Sequence, residues 1–323
     1  MVTVPGTRNC LILGVTGQDG FYLASFLLNS GYTVFGSTRR KGNIPQHVVQ
    51  LKKIGLHILE VDLNQPAAVA DLFQRTRPKY VFNLAAQSSV SRSFDTPSET
   101  ISASIEPTLI TLELIRKTFT NVHYYHASSS EVFGPSDTPL TSTSPFNPKS
   151  PYGVAKASSS MLVKIFRDTY DLFAINGYTF NHESIYRPEF FVTRKILDYL
   201  HALKWGAVNE PLQLGNIDIQ RDWGLAEEYV VPMQKLLTLE APRDCVICTG
   251  VTMSLRSFLK TAFREIGENY EDYVRSNDGL MRASDLLVNH GDSSEAEELL
   301  GWRAPTRGDG VVKNLVRLRC TSG

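Results

Sequence analysis

The chain has 323 residues, of which 42% are hydrophobic, and its 33 Lys and Arg residues balance 33 Asp and Glu residues. This length supports one large domain or two interlocked domains whose core needs no disulfides. A formal net charge of +0 provides no overall field that would attract nucleic acid or an anionic membrane, so any anionic ligand must be bound by local groups.

The N-terminal residues MVTVPGTRN contain no basic region followed by an apolar stretch. No apolar run approaches the roughly 20 residues that span a bilayer. We therefore expect a soluble, cytoplasmic protein without a membrane or nucleic-acid partner.

The first half of the chain alternates apolar strand patterns with helical patterns. The strand patterns are NCLILG, YTVFGS, LHILEVDL, YVFNLAA, VHYYHAS and LFAINGYTF. The helical patterns are FYLASFLLN, AAVADLFQR, TLITLELIRKTF and the segment after Pro151. Repeated strand–helix units with continuously apolar strands are typical of a parallel sheet that is covered on both faces. The sequence predicts an α/β fold with a Rossmann-like doubly wound parallel sheet.

Beyond about residue 183 this alternation becomes less regular. Helical patterns near TRKILDYLHALKWG, LAEEYVVPMQKLL and SLRSFLKTAF surround a strand pattern at PLQLGN, and further helical patterns follow near the end. We expect a dinucleotide-binding domain over residues 1–182, with a returning segment near 215–250. Residues 183–323 would form most of a smaller, partly interleaved substrate-binding domain.

The four cysteines are too few and too scattered for a secreted disulfide framework, which favours a reducing compartment. Cys245 and Cys248 form a C-x-x-C within the strand-like run CVICTG. Without a second pair or a histidine cluster they do not complete a zinc site. We interpret them as buried core thiols and predict no metal site.

The segment GVTGQDG follows the first strand and opens the first helix. Its glycines, Gly14, Gly17 and Gly20, follow the spacing G-x-x-G-x-x-G. Such spacing allows a tight turn that brings backbone N–H groups at a helix N-terminus onto a pyrophosphate. The strand before and the helix after agree with a dinucleotide site.

The second strand ends at Ser37-Thr38-Arg39-Arg40, where an acidic residue would bind the ribose hydroxyls of NAD. Guanidinium groups suit a 2′-phosphate, so the sequence favours NADP over NAD, although solvated loop arginines remain an alternative. Asp62 and Leu63 follow the third strand, and residues 84–88 follow the fourth. A nucleotide crosses such a sheet at these strand ends.

Tyr152 and Lys156, in SPYGVAK, are four residues apart on a helix that starts at Pro151, so both side chains project from one face. A lysine ammonium lowers the pKa of a neighbouring phenol, which can then take a proton from a substrate hydroxyl. Upstream, ASSSEVFG places Glu131 among serine hydroxyls at a strand end.

Together Gly14 to Gly20, Ser129, Tyr152 and Lys156 resemble the extended short-chain dehydrogenase/reductase superfamily. The segments GVTGQDG, NLAAQSSV, SSSEVFG, SPYGVAK, NGYTFNHES, FVTRKI, LGNIDIQRDWG and GWR resemble those of the GDP-mannose 4,6-dehydratase family. The similarity runs in order from about residue 9 to about residue 303.

The resemblance implies a lyase that oxidises a GDP-linked sugar at C4, removes water across C5 and C6, and returns the hydride to C6. Tyr152, oriented by Lys156 and assisted by Ser129, would deprotonate the C4 hydroxyl. The C4 ketone acidifies the C5 proton, which Glu131 would remove. These four residues are the predicted catalytic set.

The resemblance also implies the ligand contacts and the assembly. Predicted cofactor contacts are Gly14, Gly17, Gln18, Asp19, Gly20, Arg39, Asp62, Leu63, Ala86, Ser88, His182 and Arg187. Predicted substrate contacts are Asn181, Lys195, Arg221 and Arg282. The last three are cations that could clamp a diphosphate or could be solvated surface residues. The expected assembly is a homodimer or homotetramer.

Two alternatives remain open. An epimerase acting on a GDP-hexose or a larger sugar would oxidise C4 and return the hydride to the opposite face, which needs Ser129, Tyr152 and Lys156 but not Glu131. A catalytically silent NADP-binding protein would have lost Tyr152 or Lys156, and both are present. The stretch Ile185-Tyr186-Arg187-Pro188 departs from the family's proline, two arginines and glycine, which leaves the sugar open.

Overall fold

The computed structural model describes residues 8–39, 42, 44–280 and 286–321. These residues form two compact units, each with its own hydrophobic core. The first unit comprises the described residues of Met1–Val132, Pro148–Tyr178 and Val230–Cys245. The second comprises those of Phe133–Asn147, Thr179–Tyr229 and Val246–Gly323.

The strands of the described residues are β1 (Asn9–Leu13), β2 (Thr33–Thr38), β3 (His57–Glu60), β4 (Tyr80–Asn83), β5 (His123–Ser129), β6 (Ala174–Thr179), β7 (Asn181–Glu183), β8 (Leu212–Leu214), β9 (Gln220–Leu225), β10 (Cys245–Ile247), β11 (Thr252–Ser254), β12 (Val274–Ser276) and β13 (Val288–Asn289). The helices are α1 (Gln18–Asn29), α2 (Gln46–Leu51), α3 (Pro66–Thr76), α4 (Val90–Asp95), α5 (Pro97–Thr118), α6 (Pro151–Tyr170), α7 (Val192–Lys204), α8 (Ala226–Leu236), α9 (Leu255–Arg264), α10 (Tyr270–Tyr273), α11 (Ser294–Leu300) and α12 (Asp309–Thr321). Three-residue 3-10 turns lie at Lys52–Ile54, Ser130–Val132 and Asp278–Leu280.

A seven-stranded sheet has the order β10-β6-β5-β4-β1-β2-β3, and apart from Thr179 of β6 and residues 246–247 of β10 its strands belong to the first unit. β1 is parallel to both of its neighbours, and Leu13 at its end pairs with Ser37 of β2 and with Asn83 of β4. The chain adds β2 and β3 on one side of β1 and then returns to add β4 and β5 on the other. This order creates a crevice at the carboxyl end of β1, where doubly wound sheets bind nucleotides. The predicted Rossmann-like fold is confirmed.

The core of the first unit explains why its strands are so apolar. The side chains of β1 from Cys10 to Leu13 are fully buried. Leu11 packs in one cluster with Phe73 of α3, Leu112 of α5 and Val163 of α6. Burying each such side chain stabilises the fold by about 1.5–3 kcal/mol. A polar residue at these positions would oppose the packing of the helices against the sheet.

The second unit has β9 at its centre. This strand pairs with β7 and β13 in parallel and with β11 antiparallel, and β8 pairs with β12 in a separate two-stranded sheet. Helices α7, α9 and α12 contribute Leu197, Phe258 and Val312 to the core of this unit. The unit therefore has a helical core beside a small mixed sheet.

The boundaries of the two units do not coincide with the predicted domain boundaries. Residues 133–147 belong to the second unit because the backbone N–H and C=O of Leu140 bond to His290 and Asp292, at 3.0 and 2.9 Å. The returning segment near 215–250 stays a prediction; in this range Val230–Cys245 belongs to the first unit, and the described pairings of β9 are with β7, β11 and β13. Short hydrogen-bonded crossings of this kind leave no signal in hydrophobic periodicity.

The predicted elements of the first half are confirmed at β1 to β6 and at α1, α3, α5 and α6. Those of the second half are confirmed at α7, α8, α9 and β8. Helices α2 and α4, of 6 residues each, were not predicted because less than two turns gives no readable period. Cys245 and Cys248 are buried, as predicted for core thiols, and Cys10 and Cys320 are buried as well. Across the described ranges, no helix is both long enough and apolar enough to cross a bilayer.

Candidate active site

The glycine-rich loop between β1 and α1 requires glycine at two of its three predicted positions. Gly14 has φ +87°, and a Cβ there would lie 2.9 Å from the Cα of Ala85. A Cβ on Gly20 would lie 2.7 Å from the carbonyl oxygen of Gly14, whereas one on Gly17 would meet the same oxygen at an ordinary 3.6 Å. The backbone therefore makes its tightest approaches at Gly14 and Gly20.

The start of α1 is a helix N-terminus without a side-chain cap. Gly17 occupies the N-cap position and, having no side chain, provides no capping hydrogen bond. Gln18 is buried, and its Nε2 donates to Oδ1 of Asp19 at 3.0 Å. An uncapped helix N-terminus behind a close-packed glycine turn fits the pyrophosphate of a dinucleotide.

The remaining predicted cofactor residues of the first unit lie at the carboxyl ends of successive strands. Arg39 is exposed directly after β2, and Arg40 falls outside the described residues. Asp62, after β3, is exposed and accepts a hydrogen bond from the N–H of Asn64 at 3.1 Å, while Leu63 is buried in the core. Ala86 and Ser88 follow β4, half-buried and exposed respectively. The parallel sheet thus carries these side chains at one edge.

The predicted catalytic residues Ser129 and Glu131 are joined by a hydrogen bond. Ser129 ends β5, and the next residues form the 3-10 turn Ser130–Val132. The backbone N–H of Glu131 donates to Oγ of Ser129 at 3.3 Å. Because the serine oxygen accepts here, its own proton is directed to another acceptor. The turn thus joins the buried hydroxyl of Ser129 to the backbone of Glu131, whose side chain is half-buried.

Helix α6 carries the other two predicted catalytic residues on one buried face. Pro151 occupies the first helical turn, and Oγ of Ser150 caps it by accepting from the N–H of Gly153 at 3.0 Å. Tyr152 and Lys156 are 8% and 6% exposed. Nζ of Lys156 donates to the carbonyl oxygen of Ala127 in β5 at 2.7 Å. This bond ties the helix to the strand that ends at Ser129.

Burial controls the charge of this cluster. It lowers the pKa of Lys156 to about 8, and the carboxylate of Asp19 opposes that shift. Burial, reinforced by Lys156, also holds the pKa of His126 well below its usual range. Neither ring nitrogen of His126 bonds to any described residue. At neutral pH the site thus contains an ammonium and an uncharged imidazole.

In the second unit, β7 carries the predicted substrate contact Asn181 and the predicted cofactor contact His182. The register of β7 against β9 pairs Asn181 with Trp223 and His182 with Gly224. Nδ1 of His182 lies 2.6 Å from the carbonyl oxygen of Phe180, so this nitrogen carries the proton. The imidazole also stacks on Tyr229, with ring centroids 4.8 Å apart. Its orientation is therefore fixed from two sides.

The predicted cofactor contact Arg187 forms an ion pair with Glu183, which was not predicted as a functional residue. Its guanidinium lies 3.2 Å from the carboxylate of Glu183 and 3.8 Å from the ring centroid of Phe191. Thr193 donates to the same carboxylate at 2.6 Å. Glu183 and Thr193 belong to the motifs NHES and FVTRKI, and the i, i+4 spacing of Glu183 and Arg187 was the available signal.

The remaining predicted substrate contacts have different environments. Lys195 is exposed on α7. Arg221 of β9 is 6% exposed, and its Nη1 donates to the carbonyl oxygens of Leu286 at 2.6 Å and Gln220 at 2.9 Å. A solvated surface cation is therefore the wrong interpretation of Arg221. Arg282 lies outside the described residues.

Beside Arg221, the buried carboxylate of Asp222 secures the loop that follows β10. It accepts from the N–H and Oγ1 of Thr249, at 2.9 and 2.8 Å, and from the N–H of Gly250 at 2.7 Å. Burial nevertheless raises the pKa of Asp222 to about 6. Within the part of the chain that the structure describes, no group of His, Cys, Asp and Glu side chains is arranged to hold a metal ion.

Comparison with known proteins relates this geometry to a family. A family model described as GDP-mannose 4,6 dehydratase matches residues 11–315. A GDP-mannose 4,6-dehydratase of Vibrio cholerae is 41% identical over 335 residues, covering 91% of this chain and 89% of that protein. GDP-mannose 4,6 dehydratase 2 of Arabidopsis thaliana is 38% identical over 320 residues, covering 95% of this chain and 85% of that protein.

The structural comparison agrees. A dTDP-glucose 4,6-dehydratase from Streptomyces venezuelae, solved with NAD bound, has a TM-score of 0.86 at 20% identity and covers 97% of both chains. The doubly wound sheet, the glycine loop and the Tyr-x-x-x-Lys helix define an enzyme of the extended short-chain dehydrogenase/reductase superfamily. Within that superfamily, the chain belongs to the GDP-mannose 4,6-dehydratase family, whose model matches it over nearly its whole length.

Burial of Lys156 predicts a pH-dependent stability that Lys156→Met removes. Because the pKa of Lys156 lies near 8 in the folded chain and near 10.5 in an unfolded one, the unfolded chain holds the extra proton between these values. The free energy of unfolding of the wild-type chain should therefore rise relative to Lys156→Met by about 2 kcal/mol between about pH 7 and about pH 9.5. Denaturant unfolding at a series of pH values measures this difference. Lys164→Met, on an exposed part of the same helix, should show no such trend.

Proposed function

We propose that this chain is a GDP-sugar 4,6-dehydratase that converts GDP-mannose, or a related GDP-sugar, to its 4-keto-6-deoxy product. Membership of the family supports 4,6-dehydration of a nucleotide sugar, which is a lyase reaction. The observation that carries the proposal is the turn at the end of β5. There the backbone of Glu131 is bonded to Ser129, in the same unit as the buried Tyr152 and Lys156.

In the oxidation step, Tyr152 takes the proton of the C4 hydroxyl as a general base. Lys156 stabilises the phenolate, since its ammonium is buried and bonded to the carbonyl oxygen of Ala127 at 2.7 Å. Ser129 donates its hydroxyl proton to the sugar oxygen. The nicotinamide, when bound, supplies the hydride acceptor and later the hydride donor. The chain's own groups therefore move only protons.

In the elimination step, Glu131 removes the C5 proton that the C4 ketone has acidified. A carboxylate is suited to this step because it can release the same proton to the departing C6 hydroxyl as water leaves. An epimerase would use Ser129, Tyr152 and Lys156 in the same way but would not need Glu131, because it does not eliminate water. The presence of the glutamate beside the serine favours dehydration.

The cofactor contacts in the first unit are Gly14, Gly17, Gln18, Asp19, Gly20, Arg39, Asp62, Leu63, Ala86 and Ser88. The close backbone approaches at Gly14 and Gly20 support a pyrophosphate in the loop. Exposed Arg39 after β2 supports a 2′-phosphate and hence NADP. The other two predicted cofactor contacts, His182 and Arg187, belong to the second unit.

The substrate contacts are Asn181, Lys195, Arg221 and Arg282. Arg221 is buried, and a guanidinium is suited to bidentate binding of a phosphate. The exposed ammonium of Lys195 supplies a second positive charge for a diphosphate. We also assign the protein to the cytoplasm, where its free cysteines stay reduced.

The protein assembles as a homodimer or homotetramer through α5 and α6. Val154, Met161 and Ile165 of α6 are 42%, 49% and 53% exposed, and their spacing of seven and four residues places them in one stripe. Leu109 of α5 is 39% exposed, and α5 packs on α6 through the buried hydroxyls of Ser104 and Ser159. An apolar stripe of this kind is typical of a subunit contact.

Replacing Glu131 with Gln should stop loss of water while leaving cofactor binding intact, because the amide keeps the shape of the side chain but cannot accept a proton. The test incubates each protein with NADP and either GDP-mannose or a panel of larger GDP-sugars, and detects loss of water by mass spectrometry. Glu99→Gln, an exposed change on α5, is the control. Dehydration by Glu131→Gln at the wild-type rate would refute the role of Glu131, and a wild-type product of unchanged mass would identify an epimerase.

Replacing Arg39 with Asp should weaken NADP binding about 10- to 100-fold while changing NAD binding little, since a charge-assisted hydrogen bond contributes about 1.5–3 kcal/mol. Calorimetric titration with each dinucleotide measures the two affinities. Arg243→Asp, which changes another exposed loop arginine of the same unit, should leave both unchanged. Equal losses for NADP and NAD in Arg39→Asp would contradict a 2′-phosphate contact.

Replacing Met161 and Ile165 together with Glu should convert the assembly to monomers, because two carboxylates would be buried against the partner. Sedimentation equilibrium measures the mass. The control is Ile54→Glu, which places a carboxylate on a side chain that is 54% exposed elsewhere in the same unit. A double variant of unchanged mass would exclude this stripe as the contact.

A further inference from the structure

Gly153, which follows Tyr152 in α6, lies against the backbone of Glu131. A Cβ built on Gly153 would lie 2.8 Å from the carbonyl oxygen of Glu131 and 3.0 Å from Cβ of Pro148. Ordinary contacts of a Cβ begin at 3.4 Å, so any side chain here would push the carbonyl away by about 0.6 Å. The obstacle is backbone, which cannot rotate aside as a side chain can.

The conformation of Gly153 does not itself require glycine. It lies in the first turn of α6, and its φ is not positive. Alanine is the better residue for a helix of this geometry. The reason for glycine at this position is therefore the close approach of Glu131.

The contact belongs to a short chain of interactions that links the predicted catalytic residues. Oγ of Ser150 accepts a hydrogen bond from the N–H of Gly153 at 3.0 Å. The carbonyl oxygen of Glu131 lies close to the Cα of Gly153, within 2.8 Å of where a Cβ would be. The N–H of Glu131 in turn donates to Oγ of Ser129 at 3.3 Å. The N–H of Glu131 is thus held by the serine, and its carbonyl oxygen lies where a side chain on residue 153 would meet it.

We propose that Gly153 is a positioning residue for the elimination step, and that it sets the distance between the 3-10 turn bearing Glu131 and the helix bearing Tyr152. The inference rests on the proposed function, in which Glu131 removes the C5 proton. It assigns to Gly153 no contact with substrate or cofactor.

The oxidation step is anchored separately. Lys156 lies one turn further along α6, and its bond to the carbonyl oxygen of Ala127 holds the helix to β5 independently of Gly153. A side chain at residue 153 therefore displaces the 3-10 turn more than it displaces Tyr152 and Lys156. Proton transfer from a carbon acid is sensitive to such displacements, since about 1 Å can cost about 100-fold in rate.

The experiment compares Gly153→Ala with Glu131→Gln and with Gly310→Ala. Gly310 also lies in the first turn of a helix, α12, but a Cβ there would meet only a side-chain methyl of Thr306 at 3.3 Å. Each protein, loaded with NADP, is mixed rapidly with GDP-mannose. The absorbance of reduced nicotinamide follows oxidation, and mass spectrometry follows loss of water.

Gly153→Ala should oxidise the sugar at close to the wild-type rate, accumulate reduced cofactor and lose water about 10- to 100-fold more slowly. Glu131→Gln should also accumulate reduced cofactor and should not lose water at all. Gly310→Ala should match the wild type in both measurements. Should Gly153→Ala fail to fold, Ser150→Ala is the second variant, since it removes only the hydrogen bond that caps α6. It should also accumulate reduced cofactor and should lose water about 2- to 10-fold more slowly than the wild type.

The two proposals fail in different ways. Normal dehydration by Glu131→Gln refutes the proposed role of Glu131 itself. A blocked Glu131→Gln together with a wild-type rate in Gly153→Ala refutes only the positioning role of Gly153. Equal loss of oxidation and dehydration in Gly153→Ala also refutes it, because the glycine would then act on Tyr152 or on the fold as a whole.

Discussion

The hydrogen bond from Nζ of Lys156 to the carbonyl oxygen of Ala127 is the constraint on which the first unit's site depends. The bond joins α6 to β5. It requires the ammonium of Lys156 to stay charged although the residue is only 6% exposed to water. The surroundings are arranged for that charge. The carboxylate of Asp19 favours it, while His126 stays neutral beside it. A helix, a strand and a helix N-terminus thus meet at one buried positive charge.

Much of this arrangement was predictable because it depends on local patterns. A parallel sheet requires apolar strands, a dinucleotide turn requires glycine at Gly14 and Gly20, and a four-residue spacing on a helix places Tyr152 and Lys156 on one face. Each of these signals lies within a few residues. The fold class, and the placement of Tyr152 and Lys156 on one buried helix face, therefore followed from sequence.

The rest depends on contacts between distant residues. The burial of Arg221 follows from a bond to the carbonyl oxygen of Leu286, which is 65 positions away. The placement of residues 133–147 follows from the pairing of Leu140 with a segment near residue 291. The pairing of Glu183 with Arg187 was visible as an i, i+4 spacing, but the bond from Thr193 to the same carboxylate was not, since a hydroxyl contact leaves no mark on periodicity. Sequence patterns identify which residues matter more readily than they identify what those residues touch.

The buried carboxyl of Asp222 has a consequence for how the second unit responds to acid. A carboxylate whose pKa is lowered by an ion pair favours the folded chain only while it is ionised. Asp222 behaves in the opposite way because its pKa is raised to about 6 by burial. Its contribution to stability is fully present below the unfolded pKa, near 3.8, and declines as pH rises through 6. The strand at the centre of the second unit therefore contains a group that resists acid unfolding.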